Sequence, residues 1–188
     1  MIHLIQTPTD LINLPDTIGV DTETEGFDPH LCKVLTLQIG DDDTQYVIDT
    51  TKVDIKEYKE VLESKMLILQ HAKFDLGFFY YHGIYPTRVW DTYLAEIKLT
   101  QGLTQKRSLD ALEKKYLGTE MVDKGDRGLI HREGLTERVI KYCAFDVKVL
   151  PGIYKAQVEK AKKLNLMGAI ELENKYVLAL TYIEQWWL

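Results

Sequence analysis

Through roughly the first seventy positions the apolar side chains gather in short runs separated by polar turns, the pattern of a sheet laid down early in the chain. Residues 18–22 are apolar and then abruptly acidic. Residues 34–40 (Val-Leu-Thr-Leu-Gln-Ile-Gly) form the next strand, and residues 45–49 return as its hairpin partner after the turn Asp41-Asp42-Asp43-Thr44. The three aspartates there read as turn chemistry rather than as ligands. Residues 2–5 supply a small leading strand, cut off from the rest by Pro8, Asn13 and Pro15. Residues 66–69, Met-Leu-Ile-Leu, carry no polar side chain, as a strand covered on both faces requires.

From Asp54 the period becomes helical, with Ile55, Tyr58, Val61 and Leu62 on one side. Residues 70–79 pass from a strand end into a helix, residues 86–91 suggest a further strand, and residues 92–98 and 108–117 each form a helix. Ser108 is placed to cap the second of these, which turns Leu109, Leu112 and Tyr116 inward. Residues 118–134 are polar, glycine-rich and of mixed charge, the composition of a mobile loop beside a site. Thr136 caps a helix carrying Val139, Ile140, Tyr142, Cys143, Phe145 and Asp146, which Pro151 either kinks or divides. A last helix runs from about residue 169 to residue 187.

With 188 residues the chain suits one globular domain with a sizeable core. No apolar run approaches the ~20 residues that cross a bilayer, and the first residues lack the basic and apolar regions of a signal peptide. A formal net charge of −6 argues against a broad basic surface gripping long duplex. It limits how much nucleic acid is held, not whether any is. Cys32 and Cys143 have neither metal-ligand spacing nor the numbers of a disulfide framework, and are expected to be reduced, in or near the core.

The candidate chemistry begins at Asp21-Thr22-Glu23. On a strand, Asp21 and Glu23 project from one face and Thr22 from the other, and neighbouring carboxylates raise each other's pKa unless a cation lies between them. Hard oxygen ligands of this kind select Mg²⁺ or Mn²⁺. An isolated Asp-x-Glu also suits a solvent-facing edge strand, so the reading depends on further ligands. Asp75 stands just past a strand end, where sites in open α/β sheets gather, though an acidic residue in a first helical turn also serves the helix dipole. Tyr142 and Asp146, four apart, share one helix face, either in a site or as an ordinary buried pair. Phe27, between Gly26 and Asp28-Pro29, is open to two readings, a core residue or an aromatic on a turn. His131 is a rival base, set aside because it falls in the loop, and Tyr80, Tyr81 and Trp90 read as packing.

Asp21-Thr22-Glu23, His71-Ala72-Lys73-Phe74-Asp75 and Tyr142-Cys143-Ala144-Phe145-Asp146, in that order, resemble the three motifs of the DEDD 3′-to-5′ exonuclease superfamily. Tyr142, four residues before Asp146, marks the tyrosine subclass. Within it the chain is most similar to the proofreading domain of bacterial and phage family A polymerases, those resembling DNA polymerase I. Asp91-Thr92, Ser108-Leu109 and Ile170-Glu171-Leu172-Glu173 support that likeness. One departure is His71, where the family commonly has asparagine; histidine can still hydrogen-bond a phosphate.

The resemblance implies an α/β, ribonuclease H-like fold: a mixed five-stranded sheet, its first three strands antiparallel, flanked by helices. It implies Asp21, Glu23, Asp75 and Asp146 as the ligands of two Mg²⁺ ions, for which Mn²⁺ substitutes. Asp21, Glu23 and Asp146 would hold one ion, and Asp21 would bridge to a second that Asp75 supports through water. Tyr142 would orient the attacking water. Thr24, Phe27 and His71 would bind substrate, Phe27 as a wedge between the terminal bases. The implied activity is stepwise hydrolysis of a single-stranded or frayed DNA 3′ end to nucleoside 5′-monophosphates, in proofreading. The implied protein is a cytoplasmic monomer without a membrane partner, in the host cytoplasm if phage-encoded, covalently linked to or associated with a DNA polymerase domain.

Residues 1–168 would be the exonuclease domain and residues 169–188 the start of a linker helix towards a C-terminal polymerase domain. The apolar ending Trp186-Trp187-Leu188 fits the front piece of a longer polypeptide. Two alternatives remain. One is a ribonuclease D-like RNA exonuclease, which shares all three motifs. The other is a scaffold that binds nucleic acid without turnover, against which four mutually repelling carboxylates speak.

Overall fold

The computed structural model describes residues 1–11, 14–103, 106–119 and 129–187. Six strands, β1 (Ile2–Ile5), β2 (Thr17–Thr24), β3 (Val34–Gly40), β4 (Gln45–Asp49), β5 (Met66–Leu69) and β6 (Arg88–Asp91), form one sheet in the order β1-β4-β3-β2-β5-β6. As expected, β2, β3 and β4 are antiparallel neighbours. β5 joins β2, and β6 joins β5, in parallel. The sheet exceeds the expected five strands because the short leading segment also enters it. β1 lies parallel to β4, pairing Ile2 with Gln45 and Ile5 with Ile48, and so covers an edge that would otherwise expose unpaired amides.

A 3₁₀ turn at Ile55–Tyr58 leads into α1 (Lys59–Ser64); α2 (Ala72–Tyr81), α3 (Thr92–Leu99), α4 (Leu109–Leu117), α5 (Leu129–Glu133), α6 (Glu137–Lys163) and α7 (Met167–Trp187) follow. The residues of β5 explain why it carries no polar side chain. Leu67 and Leu69 enter the main core with Leu76, Phe78 and Phe79 of α2, while Ile68 points the other way, into a second core with Val147 and Leu150 of α6. Each fully buried side chain of this size contributes roughly 1.5–3 kcal/mol. α7 closes the domain against α2, α3 and β6, giving Val177 to the first core and Ile170 to the second. Among the described residues no helix is long and apolar enough to cross a membrane.

Three local expectations change. α6 is a single helix that continues through Pro151 and is not divided there. The segment 118–134 is not loop throughout, since residues 129–133 form α5, with His131 exposed on it; residues 120–128, like Asn13, lie outside the described residues. Ser108 occupies the N-cap position of α4, but its hydroxyl makes no capping hydrogen bond. Thr136 does cap α6, accepting from the Val139 amide at 3.4 Å, and Asp41 Oδ1 accepts from the Asp43 and Thr44 amides as turn chemistry requires. Cys143 is buried and Cys32 half-buried, both free.

Candidate active site

β2 leaves the core at its carboxyl end, and its alternation sorts the site onto two faces. Ile18 and Val20 face the main core; Gly19, Asp21 and Glu23 face α6. At Gly19 the helix comes so close that a side-chain carbon added there would lie 2.4 Å from the Val147 carbonyl oxygen. That oxygen sits four residues before Pro151, which has no N–H to give it. The contact fixes α6 over β2 next to Asp146 on one side and two residues before Asp21 on the other.

Carboxylate oxygens of Asp21, Glu23 and Asp146 all lie within 4.8 Å of one another. Asp146 is buried, and the other two are half-buried at the lip of a cleft of about 510 Å³. Burial is the largest cause holding the Asp21 carboxyl well above the usual carboxylate range, followed by the charges of Asp75, Asp146 and Glu23. Tyr142, one turn before Asp146, lines the same cleft beside that carboxylate. Burial first, then the three carboxylates, push its phenol far up, so it stays protonated.

Asp75 reaches the cleft from the opposite face of β2, in the first turn of α2, and stands apart from the three-carboxylate cluster. It is only 2% exposed and accepts the Thr22 hydroxyl at 2.7 Å. Burial raises its pKa to about 7, against the lowering effect of that hydrogen bond. Thr22 was passed over in the sequence because it faces away from Asp21, yet that orientation is what aims it at α2. Gln70 and the first residues of α4, Ser108, Leu109 and Asp110, complete the far wall and were likewise not foreseen as site residues.

His71 also lines the cleft, from a left-handed backbone conformation (φ 61°, ψ 52°) at the start of α2. Asparagine is among the few residues with side chains that enter this region readily, so it would suit this backbone as well. Phe27 is no core residue: it is 89% exposed and meets Phe74 edge-on, ring centroids 6.2 Å apart. It lines a second cleft of about 600 Å³ that shares His71 and Phe74 with the first. Thr24 lines neither; its hydroxyl donates to the Gly26 carbonyl at 2.6 Å and steadies the turn that presents Phe27.

The donor set fits a divalent cation. Three carboxylates crowded at a half-buried lip repel one another, and burial and its neighbours' charge raise the pKa of Asp21; a hard dication reverses that balance.

Among solved structures, Brucella melitensis NrnC with bound Mg²⁺ superposes with a TM-score of 0.82 at 23% identity, over 97% of this chain and 92% of that one. Escherichia coli RNase D, an exoribonuclease involved in structured RNA processing, superposes with a TM-score of 0.75 at 21% identity, over 89% of this chain and 45% of that one. These likenesses establish the ribonuclease H-like fold. In sequence, DNA polymerase I of Aquifex aeolicus is 28% identical over 154 residues, 81% of this chain; the chain spans about a quarter (25%) of that polymerase. The 3′-5′ exonuclease family matches residues 3–160, a span holding every motif residue named above, and the chain belongs to that family.

Proposed function

We propose that this chain is a Mg²⁺-dependent 3′-to-5′ exonuclease that removes nucleoside 5′-monophosphates from single-stranded or frayed DNA 3′ ends, in the manner of a polymerase editing domain. The observation that carries the reading is the convergence of Asp21, Glu23 and Asp146 within 4.8 Å in a cleft that Tyr142 also lines. Asp21, Glu23 and Asp146 would hold one ion, and Asp75 would support a second next to Asp21. Such ions supply the positive charge that lets water attack a phosphodiester at neutral pH and stabilises the leaving oxygen. The protein's own groups do the rest. The protonated Tyr142 orients the attacking water beside Asp146, His71 hydrogen-bonds the substrate, and Phe27 stacks on a base, a contact worth ~1–3 kcal/mol that ignores sequence. The chemistry needs an unpaired end, so mispaired termini, which fray at lower cost, are preferred.

The family assignment and the match to a DNA polymerase favour DNA. Likeness in fold to RNase D, an exoribonuclease, supports RNA as the second reading. Matched DNA and RNA oligonucleotides with Mg²⁺ separate the two. Faster DNA trimming is expected, and equal or faster RNA trimming overturns the choice. The Asp21→Ala, Glu23→Ala double variant should fold and lose cleavage of both; retained cleavage would remove the site from this cleft.

A further inference from the structure

The Asp91 side chain, 2% exposed at the end of β6, touches none of the three carboxylates that converge on the cleft, yet it is unusually well used. Its Oδ2 accepts the Ala72 amide at 2.9 Å, while Oδ1 accepts the amides of His71 (3.2 Å), Tyr93 (2.9 Å) and Leu94 (3.3 Å). One carboxylate therefore ties the first turns of α2 and α3 together. Its own backbone amide donates to Asn174 Oδ1 of α7 at 3.0 Å, so the strand end is held from three helices. Between the tied turns lies His71, the left-handed residue, and its imidazole stacks on the Tyr93 ring with centroids 3.8 Å apart and planes 28° from parallel. A side chain in that backbone region is strained and persists only where its surroundings over-determine it. Here the hydrogen bond from the His71 amide to Asp91 fixes the turn and the Tyr93 ring fixes the imidazole, at the junction of the two clefts.

We propose that Asp91 is a positioning residue of the nuclease: through the left-handed turn and the Tyr93 stack it sets the imidazole of His71 against the nucleic acid strand. The assignment rests on the nuclease reading of the cleft. Asp91 acts only through His71, so its effect on substrate grip vanishes once the imidazole is gone, whereas its effect on folding does not.

The test is steady-state cleavage of a short single-stranded oligodeoxynucleotide with Mg²⁺, beside thermal melting, for Asp91→Asn, Tyr93→Ala, His71→Gly and the doubles built on His71→Gly. Tyr93→Ala and His71→Gly are each expected to raise KM roughly three- to ten-fold, the scale of one aromatic or hydrogen-bonding contact, with kcat within about two-fold. Asp91→Asn raises KM at least as far and lowers the melting temperature. In the His71→Gly background, Asp91→Asn and Tyr93→Ala leave KM unchanged, and glycine, which takes the left-handed turn freely, recovers part of the melting loss. An equal rise in KM in both backgrounds, or a melting loss without any KM effect, overturns the proposal. Should Asp91→Asn not fold, Tyr93→Ala in the two backgrounds makes the same comparison. A wild-type chain inactive on DNA and RNA alike removes the nuclease reading itself, a failure distinct from these.

Discussion

Replacing Asp75 by asparagine should stabilise the metal-free protein at alkaline pH and leave it unchanged near pH 4. The unfolded chain ionises this carboxyl at its ordinary 3.8, while burial in the fold raises it to about 7. Below 3.8 both states hold the proton and Asp75 behaves like an amide. Between the two values the unfolded chain releases its proton and the folded chain keeps it, so stability falls as pH rises, and the full loss is present above about 7. That gap corresponds to about 4 kcal/mol, which coupling to Asp21 and local relaxation reduce to roughly 1–4 kcal/mol. Asparagine keeps an oxygen for the Thr22 hydroxyl, so the hydrogen bond survives the exchange. Urea unfolding in EDTA, followed by tryptophan fluorescence at pH 5 and pH 8, reads the difference directly. For a domain of this size each kcal/mol moves the melting temperature about 2–4 °C. Millimolar Mg²⁺ should restore the wild-type chain at pH 8 more than the variant, because binding to the folded state alone stabilises it. A metal-free wild type whose stability does not fall between pH 5 and pH 8, or an asparagine variant weakened equally at both, refutes the reasoning.

Two substitutions test the geometry from other sides. Gly19→Ala drives a methyl to 2.4 Å from the Val147 carbonyl, and β2 or α6 must shift; a loss of about 1–3 kcal/mol in urea unfolding is expected, with cleavage falling further than stability as Asp146 moves from Asp21. Full activity in that variant would show the helix free to adjust. Phe27→Ala removes an exposed side chain, so melting should stay within about 0.5 kcal/mol of wild type while KM for single strands rises about five- to hundred-fold. An unchanged KM there removes the stacking role.

The sequence made the carboxylates legible because β2 and α6 each carry theirs at short, regular spacing: Asp21 and Glu23 two apart on a strand, Tyr142 and Asp146 four apart on a helix. What stayed hidden depends on partners distant along the chain. β1 is four residues long, and nothing local predicts that it pairs with β4, some forty positions on. Pro151 carries a strong local signal to break α6, yet packing of Val147, Leu150 and Ile153 on both sides of it keeps the helix whole. Thr22 stands inside the first motif and Asp91 in a supporting pair, but spacing along the chain shows the partner of neither; the first is recruited by Asp75 and the second by amides up to twenty positions away. Phe27 could be read two ways until its surroundings were known.

The seating of β2 against the Val147 carbonyl has a further consequence for how the enzyme responds to heat. The spacing between the first and last acidic motifs is set by main chain resting on main chain, with no side-chain rotamer between them to loosen early. Cleavage should therefore persist on warming until the whole domain melts, and then vanish with it in a single step.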